Sequence, residues 1–317
     1  MEKKDLRIVF MGTPEFAVES LKAIVENDFN IVGVITTPDR PAGRGYKLQE
    51  SAVKKYAVEQ GLKVLQPNKL RDEGFLAELS ALEADIQVVV AFRMLPEVVW
   101  QMPRLGTFNL HGSLLPQYRG AAPINWAVIN GEEKTGVTTF FLKHEIDTGE
   151  IIYKAETPIG PDDTAGIIHD RLMDIGADLV IKTLDAVVDE SIESKPQSEF
   201  YNKEEELKPA PKIFRETGEI NWEDTTQHIH NLIRGLSPYP AAWTAFEIEG
   251  KMVNFKIYAS QMVDESHELT PGTIVTDNKA TLRVATQDGF IEILELQMAG
   301  KRRMKTRDLL NGFSFPQ

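Results

Sequence analysis

Residues 85–91 read DIQVVVA, a run almost without a polar break. A strand with one wet face alternates apolar and polar side chains, so this run predicts a central parallel strand covered on both faces. The flanking segments fit that frame. Residues 7–11 (RIVFM) are short, apolar and β-rich, and Gly12-Thr13-Pro14 and an amphipathic run over 15–26 follow. That is strand, turn and helix, with Thr13 as N-cap and Pro14 at the first helical position. Residues 31–36 (IVGVIT) form a second strand, 54–60 a helix, 63–65 a short strand and 74–82 a helix. Strands alternating with helices at these lengths predict an α/β fold with an open, mostly parallel sheet.

The pattern changes further on. Residues 135–142 and 150–157 read as strands and 164–188 as a long helix. Residues 189–208 are polar, carry Glu204-Glu205-Glu206 and lead into Pro209 and Pro211, as a linker would. Beyond them a helix over 225–235 precedes strand-like runs at 242–249, 251–260, 272–276, 281–285 and 290–297. Their close spacing and turn residues predict a small β-barrel or β-sandwich. The domain expectation is therefore a catalytic domain over 1–189, a linker over 190–208 and a smaller C-terminal domain over 209–317.

Composition bounds the function. The chain has 317 residues, 42% of them apolar and 26% charged, within the range of a folded globular protein. No apolar run approaches the roughly 18 residues of a spanning helix, and the first strand begins too early to leave room for a leader. A cytoplasmic enzyme without a membrane partner is expected. With no cysteine, disulfides, thiolate metal sites and a Cys nucleophile are excluded. The six His residues show no HExxH spacing, and His228 and His230 lie two apart in a predicted helix, on different faces, so no metal is expected. The formal charge of −13 is uneven, with −12 in residues 1–207 and −1 in 208–317. Lys301, Arg302, Arg303, Lys305 and Arg307 crowd seven positions of the tail. Such a patch could hold a polyanion, or be a solvated helix face.

The chemistry concentrates in residues 108–120, FNLHGSLLPQYRG. Residues i and i+2 of a strand face the same side, so Asn109 and His111 should project together from one rim of the sheet. Asp147 follows in HEIDTGE. An amide donor, an imidazole and a carboxylate are what acyl transfer needs, one group for the developing oxyanion and another for the proton of the attacking group. A lone His on a strand is more often structural. The companion Asn, and the position at the carboxyl edge of a parallel sheet, argue for the functional reading. No nucleophile is evident, because Ser113 could shape the loop as easily as attack, which favours transfer to an external nucleophile. Ser113, Leu114, Leu115 and Pro116 could bind a flat heteroaromatic ligand through backbone groups and Leu side chains, or be an ordinary buried loop. Gly12-Thr13-Pro14 lacks GxGxxG and a P-loop Lys and reads as a tight turn rather than a phosphate cradle. Residues 37–47, TPDRPAGRGYK, are long for a strand-to-helix link, and carry Arg40, Arg44 and Lys47. They suit insertion against a phosphate backbone, or form a plain surface loop.

Taken together, FNLHGSLLPQYRGAAPI with the later DTG closely resembles the folate-dependent formyltransferases. GTPEFA, TPDRPAGRG, SPYPAAW and AGKRRM extend the resemblance over essentially the whole chain, toward the members that act on methionyl-tRNA. The resemblance implies a Rossmann-like formyltransferase domain, an OB-like C-terminal barrel, 10-formyltetrahydrofolate as formyl donor and initiator methionyl-tRNA as acceptor. It also implies that Asn109, His111 and Asp147 are catalytic and that the 113–116 loop belongs to the folate site. Arg44, with Arg40 and Lys47 beside it, would reach the tRNA, as would Lys301, Arg302 and Arg303 in the C-terminal domain. A monomer is expected. One departure stands out: where the family usually reads Ala-Tyr-Gly-x-x-Leu-Pro, this chain has Ala91-Phe92-Arg93-Met94-Leu95-Pro96, one residue shorter and without the Gly. Two other readings are a formyltransferase for a small amine, such as a nucleotide sugar or glycinamide ribonucleotide, and a tRNA-binding protein with an inactive domain. The long basic loop and basic tail weigh against the first, the intact trio against the second.

Overall fold

The computed structural model describes residues 1–42, 47–202 and 206–315. Its contacts divide the chain into two compact units. One comprises Met1–Gly120, Gly136–Thr157 and His169–Pro209; the other comprises Ala121–Thr135, Pro158–Ile168 and Ala210–Gln317.

The first unit is built on a seven-stranded sheet. Its order is Ile151–Pro158, Lys134–Phe141, Thr107–His111, Ile86–Val90, Arg7–Gly12, Asn30–Ile35 and Val64–Leu65. The last five run parallel, and Lys134–Phe141 is antiparallel to Thr107–His111. This is the open, mostly parallel sheet expected from the alternation of strands and helices. All five residues of Ile86–Val90, the polar Gln87 included, are buried, as a nearly continuous apolar run requires of a strand covered on both faces.

At the end of the first strand, a Cβ on Gly12 would lie 2.7 Å from the Ala17 Cβ and 3.1 Å from the Val90 carbonyl, so only a glycine lets strand and helix approach. The helix spans Glu15–Glu26. Its cap differs from the sequence expectation: Pro14, extended at φ −80 and ψ 176, is the N-cap, and no side chain caps the helix. Thr13 therefore stands one residue too early to reach the first-turn amides, and its Oγ1 is buried without a partner among the described residues. Arg40–Ala42 and Lys47–Gln49 also depart from a plain loop, since they pair as a short antiparallel ribbon.

The strand Thr107–His111 positions the site. Phe108 and Leu110 face one side; a Cβ on Gly176 would come within 2.7 Å of Leu110 Cδ2, so the helix Ala165–Val188 covers that side closely. Thr107, Asn109 and His111 face the other. Directly across in the antiparallel neighbour, Asn109 pairs with Phe140 and His111 with Thr138. Phe140, Leu115 and Ile151 form a small core on this side, with Leu142 against it. Between Lys134–Phe141 and Ile151–Pro158 the chain turns through Gly149, where a Cβ would fall 1.6 Å from the Phe141 carbonyl oxygen.

The second unit packs the helix Thr226–Leu236 on an antiparallel sheet. Its path runs Ala242–Ile248, Lys251–Val263, Phe290–Met298, Leu282–Ala285 and Ile274–Thr276, with Met304–Lys305 added on Phe290–Met298. Thr225 caps the helix by accepting the His228 N–H at 3.2 Å. Register shifts at Ala259 bend the longest strand, and the sheet curls around Ile233, Phe255, Ile257, Val284 and Leu296. The expected barrel is thus an antiparallel half-barrel.

Gly149→Ala tests how tightly the 142–150 turn is built. The added methyl must displace the Phe141 carbonyl, and overpacking of this kind costs about 1–3 kcal/mol or more. The urea midpoint should fall accordingly; an unchanged midpoint would show that the turn relaxes freely.

Candidate active site

His111 sits at the carboxyl end of its strand, 6% exposed, with its ring edge-on to Phe140 at 6.4 Å between centroids. Its Nε2 lies 2.9 Å from the Tyr118 carbonyl oxygen. A carbonyl can only accept, so Nε2 carries the hydrogen and the tautomer is fixed. The other ring nitrogen, Nδ1, faces the Asp147 carboxylate at 3.9 Å. That gap is too long for a direct hydrogen bond and suits an electrostatic pair or a bridging group between them. With Nε2 committed, Nδ1 is the imidazole atom left for chemistry: a lone pair when the ring is neutral, a donor when it is the imidazolium.

Asp147 is held from several directions. Its Oδ2 accepts the Gly120 N–H at 3.0 Å, and its backbone takes the left-handed conformation at φ 56. That conformation is uncommon for a residue with a Cβ, though least so for Asp and Asn. Gln197 supports it. This glutamine is 4% exposed; its Nε2 donates to the carbonyls of Asp147 at 2.7 Å and Gly149 at 2.9 Å, while its Oε1 accepts from Arg119 Nε at 3.1 Å and Nη2 at 2.5 Å. Gln197 lies in the segment expected to be a linker. In the structure Lys195 exchanges backbone bonds with Ile151, and the segment to Pro209 belongs to the first unit. No periodicity or motif marks a glutamine in a polar tract, so sequence reasoning missed Gln197, and with it Arg119 and the Gly120 amide.

Asn109 shares the strand face of His111 and is partly exposed. Its amide makes no hydrogen bond among the described residues. The trio is thus brought to one rim, with the Asn amide and the His Nδ1 uncommitted.

The 113–116 loop is less open than its sequence suggests. Ser113, Leu115 and Pro116 are buried. Ser113 Oγ donates to the Gln117 carbonyl at 2.7 Å, the Leu115 N–H donates to Thr138 Oγ1 at 3.1 Å, and Thr138 Oγ1 donates back to the Ser113 carbonyl at 2.7 Å. Ser113 is therefore a loop residue rather than a nucleophile. Leu114 packs on Gly136, where a Cβ would lie 2.5 Å from Leu114 Cδ2, and it is the one member of the four that stays partly exposed.

In the departed stretch, Ala91 adopts the left-handed φ of 46. Arg93 donates to the carbonyls of Pro67 and Asn68 and stacks over Phe92 at 5.5 Å. Burial, then the nearby charge of Arg40, holds the Arg93 guanidinium below its ordinary value. These contacts tie Arg93 to the neighbouring loop. Arg40 is exposed; Arg44 lies outside the described residues, as does the side chain of Lys47. In the second unit Lys301, Arg302 and Arg303 are exposed, and Arg303 pairs with Glu295 at 2.5 Å while covering the Tyr258 ring at 4.3 Å. A cavity of about 570 Å³ in the first unit, lined by Gln66, Asn68, Asp72 and Phe75, opens beside the strand Val64–Leu65. That strand is four positions across the sheet from Thr107–His111, about 19 Å at the usual strand spacing, and the cavity is separate from this site.

Replacing Gln197 tests its hold on Asp147. Gln197→Glu keeps an acceptor for Arg119 but cannot donate to the Asp147 and Gly149 carbonyls, so turnover should fall at least tenfold while unfolding stability drops by about 1–3 kcal/mol. Wild-type turnover in Gln197→Glu would show that the turn holds Asp147 unaided.

The model of the Formyl transferase family matches residues 6–184, and that of the Formyl transferase C-terminal domain matches 212–314. A methionyl-tRNA formyltransferase of Bacteroides fragilis is 59% identical over 314 residues, covering 99% of this chain and 97% of the relative. One from Flavobacterium johnsoniae is 51% identical over 315 residues, covering 99% and 98%. Among solved structures, a sugar 3N-formyl transferase crystallised with dTDP and 5-N-formyl-THF aligns at TM-score 0.67 and 22% identity, over 94% of this chain and 99% of that one. An N-formyltransferase of Helicobacter canadensis, in complex with folinic acid and dTDP-3-aminofucose, aligns at 0.67 and 23%, over 96% and 100%. At these identities the structural likeness speaks for the fold.

Proposed function

The chain belongs to the formyl transferase family, among relatives that are methionyl-tRNA formyltransferases, and from that premise we propose that Asn109, His111 and Asp147 carry its chemistry. The reaction is transfer of the formyl group of 10-formyltetrahydrofolate to the amino group of methionyl-initiator tRNA, which supplies N-formylmethionyl-tRNA for translation initiation. The single observation that carries the residue assignment is His111 Nδ1 facing the Asp147 carboxylate at 3.9 Å on the strand face shared with Asn109.

The acceptor amine attacks as the neutral base. Esterification of the methionine withdraws charge from that amine and leaves a useful fraction unprotonated near neutral pH. A bond forms from the amine nitrogen to the formyl carbon, and the carbonyl oxygen becomes an oxyanion. Asn109 supplies an amide donor to it, and His111 a second from Nδ1 in the imidazolium form, whose charge Asp147 balances. One such donor typically contributes about 3 kcal/mol of barrier lowering. Asp147, with the Gly120 amide on Oδ2, accepts the proton that the amine must shed. The carbon–N10 bond then breaks and N10 receives a proton, so that the amine's proton replaces the formyl group on the folate. Proton transfer of this kind contributes on the order of a hundred- to ten-thousandfold. Folate would lie along the 113–116 loop, with Leu114 offering an apolar contact. Arg40, Arg44 and Lys47 in the first unit, and Lys301, Arg302 and Arg303 in the second, would meet the phosphates of the tRNA.

Asn109→Ala and Asp147→Asn should each lower kcat about a hundredfold or more while changing the affinity for 10-formyltetrahydrofolate little. Steady-state kinetics together with a folate binding isotherm checks this, and near-normal turnover in either variant removes that residue from the mechanism.

Arg44→Ala should raise KM for methionyl-tRNA while leaving the slow tRNA-independent cleavage of the folate intact. If both activities fall together, the loop serves folding instead.

A further inference from the structure

The second unit carries a groove of about 550 Å³ that none of the chemistry above uses. Among its lining residues are Tyr239, Phe214 and Trp243, the cations Arg215 and Lys256, and Asn254. Tyr239 is 81% exposed and Phe214 59% exposed, unusual for large aromatic side chains with a core close by. The Arg215 guanidinium lies 4.9 Å over the Trp243 ring, and the indole N–H donates to the Arg215 carbonyl at 2.9 Å, which fixes the Trp243 plane. Lys256 Nζ donates to the Pro240 carbonyl at 3.1 Å and holds a positive charge at the wall. The Asn254 amide is exposed and makes no side-chain hydrogen bond among the described residues.

Two features identify the ligand class. Among the described residues no carboxylate lines the groove, in a chain with 48 Asp and Glu against 35 Lys and Arg. A site that excludes acids and keeps two cations is complementary to an anion. The exposed aromatic faces then ask for a flat partner, since stacking on aromatic side chains is how proteins hold unpaired bases of any sequence. Gly300, directly before the exposed Lys301, Arg302 and Arg303 in the chain, is also among the lining residues. We infer that this groove binds one unpaired nucleotide of the tRNA substrate: its base stacks on Tyr239 and Phe214, its base edge meets Asn254, and its phosphate lies between Arg215 and Lys256. This rests on the tRNA reading above and adds to backbone contacts a site for a single base.

The test uses the full-length protein and uncharged initiator tRNA, with binding followed by fluorescence anisotropy at two salt concentrations. Tyr239→Ala should weaken binding about five- to thirtyfold, the loss of one stacked base, and Tyr239→Phe, which keeps the ring, should bind like wild type. Lys256→Gln should weaken binding and lower the steepness of the salt dependence by about one phosphate contact. Melting temperatures of all three variants should match wild type, since Tyr239 and Lys256 are exposed. Wild-type affinity in Tyr239→Ala overturns the base site, as does an equal loss in Tyr239→Phe, or an effect confined to Lys256→Gln. If the wild-type protein itself fails to formylate methionyl-tRNA, the functional reading falls; if it formylates and Tyr239→Ala binds normally, the groove alone is refuted.

Discussion

The hydrogen bond from His111 Nε2 to the Tyr118 carbonyl, 2.9 Å long, is the constraint on which the site depends. It fixes the tautomer, sets the ring plane and leaves Nδ1 facing the carboxylate. It also couples the strand end to the loop that follows, because the same short stretch supplies the Gly120 N–H to Asp147. An imidazole without that anchor could present either nitrogen. With it, the ring faces the carboxylate in one orientation, and the donor or acceptor character of Nδ1 depends on a single proton.

The carboxylate side is built with equal economy. Asp147 occupies a left-handed backbone position in a turn closed by Gly149, where no Cβ fits against the Phe141 carbonyl. Gln197 then joins the carbonyls of Asp147 and Gly149 to Arg119 with four contacts from one buried side chain. A buried amide with both ends satisfied is rigid, because leaving any of its partners unpaired costs the desolvation already spent. The imidazole and the carboxylate are thereby held in place, the preorganisation that the proposed chemistry requires. The 113–116 loop contributes in the same way. Its hydrogen bonds to Thr138 turn a segment with a ligand-like sequence into a wall, and leave Leu114 as its partly exposed member.

The two units divide the chemistry by charge. The first sets an acid and an amide, both partly exposed, at one strand rim with a buried imidazole. The second keeps cations and aromatic rings exposed on a half-barrel, a surface suited to a large, flat-based polyanion. A small acceptor amine would need the first of these arrangements and gain nothing from the second.

The sequence alone determined the layered architecture, since the nearly continuous apolar run at 86–90 and the strand–helix alternation admit few other solutions, and the i, i+2 spacing of Asn109 and His111 placed both on one face. It determined the motif content too, which carried the family. Tertiary structure decided the rest. Thr13 lost its capping role because the helix begins one residue later than the turn suggests, behind Pro14. Gln197 became part of the site because a polar tract, about 50 residues beyond Asp147, returns to the turn that holds it. Which nitrogen of His111 is left without a backbone partner was likewise decided by a carbonyl seven residues away. Local patterns report propensity and periodicity, whereas a backbone carbonyl or a buried amide has no sequence signature, because every residue supplies the first and context alone gives the second its partners.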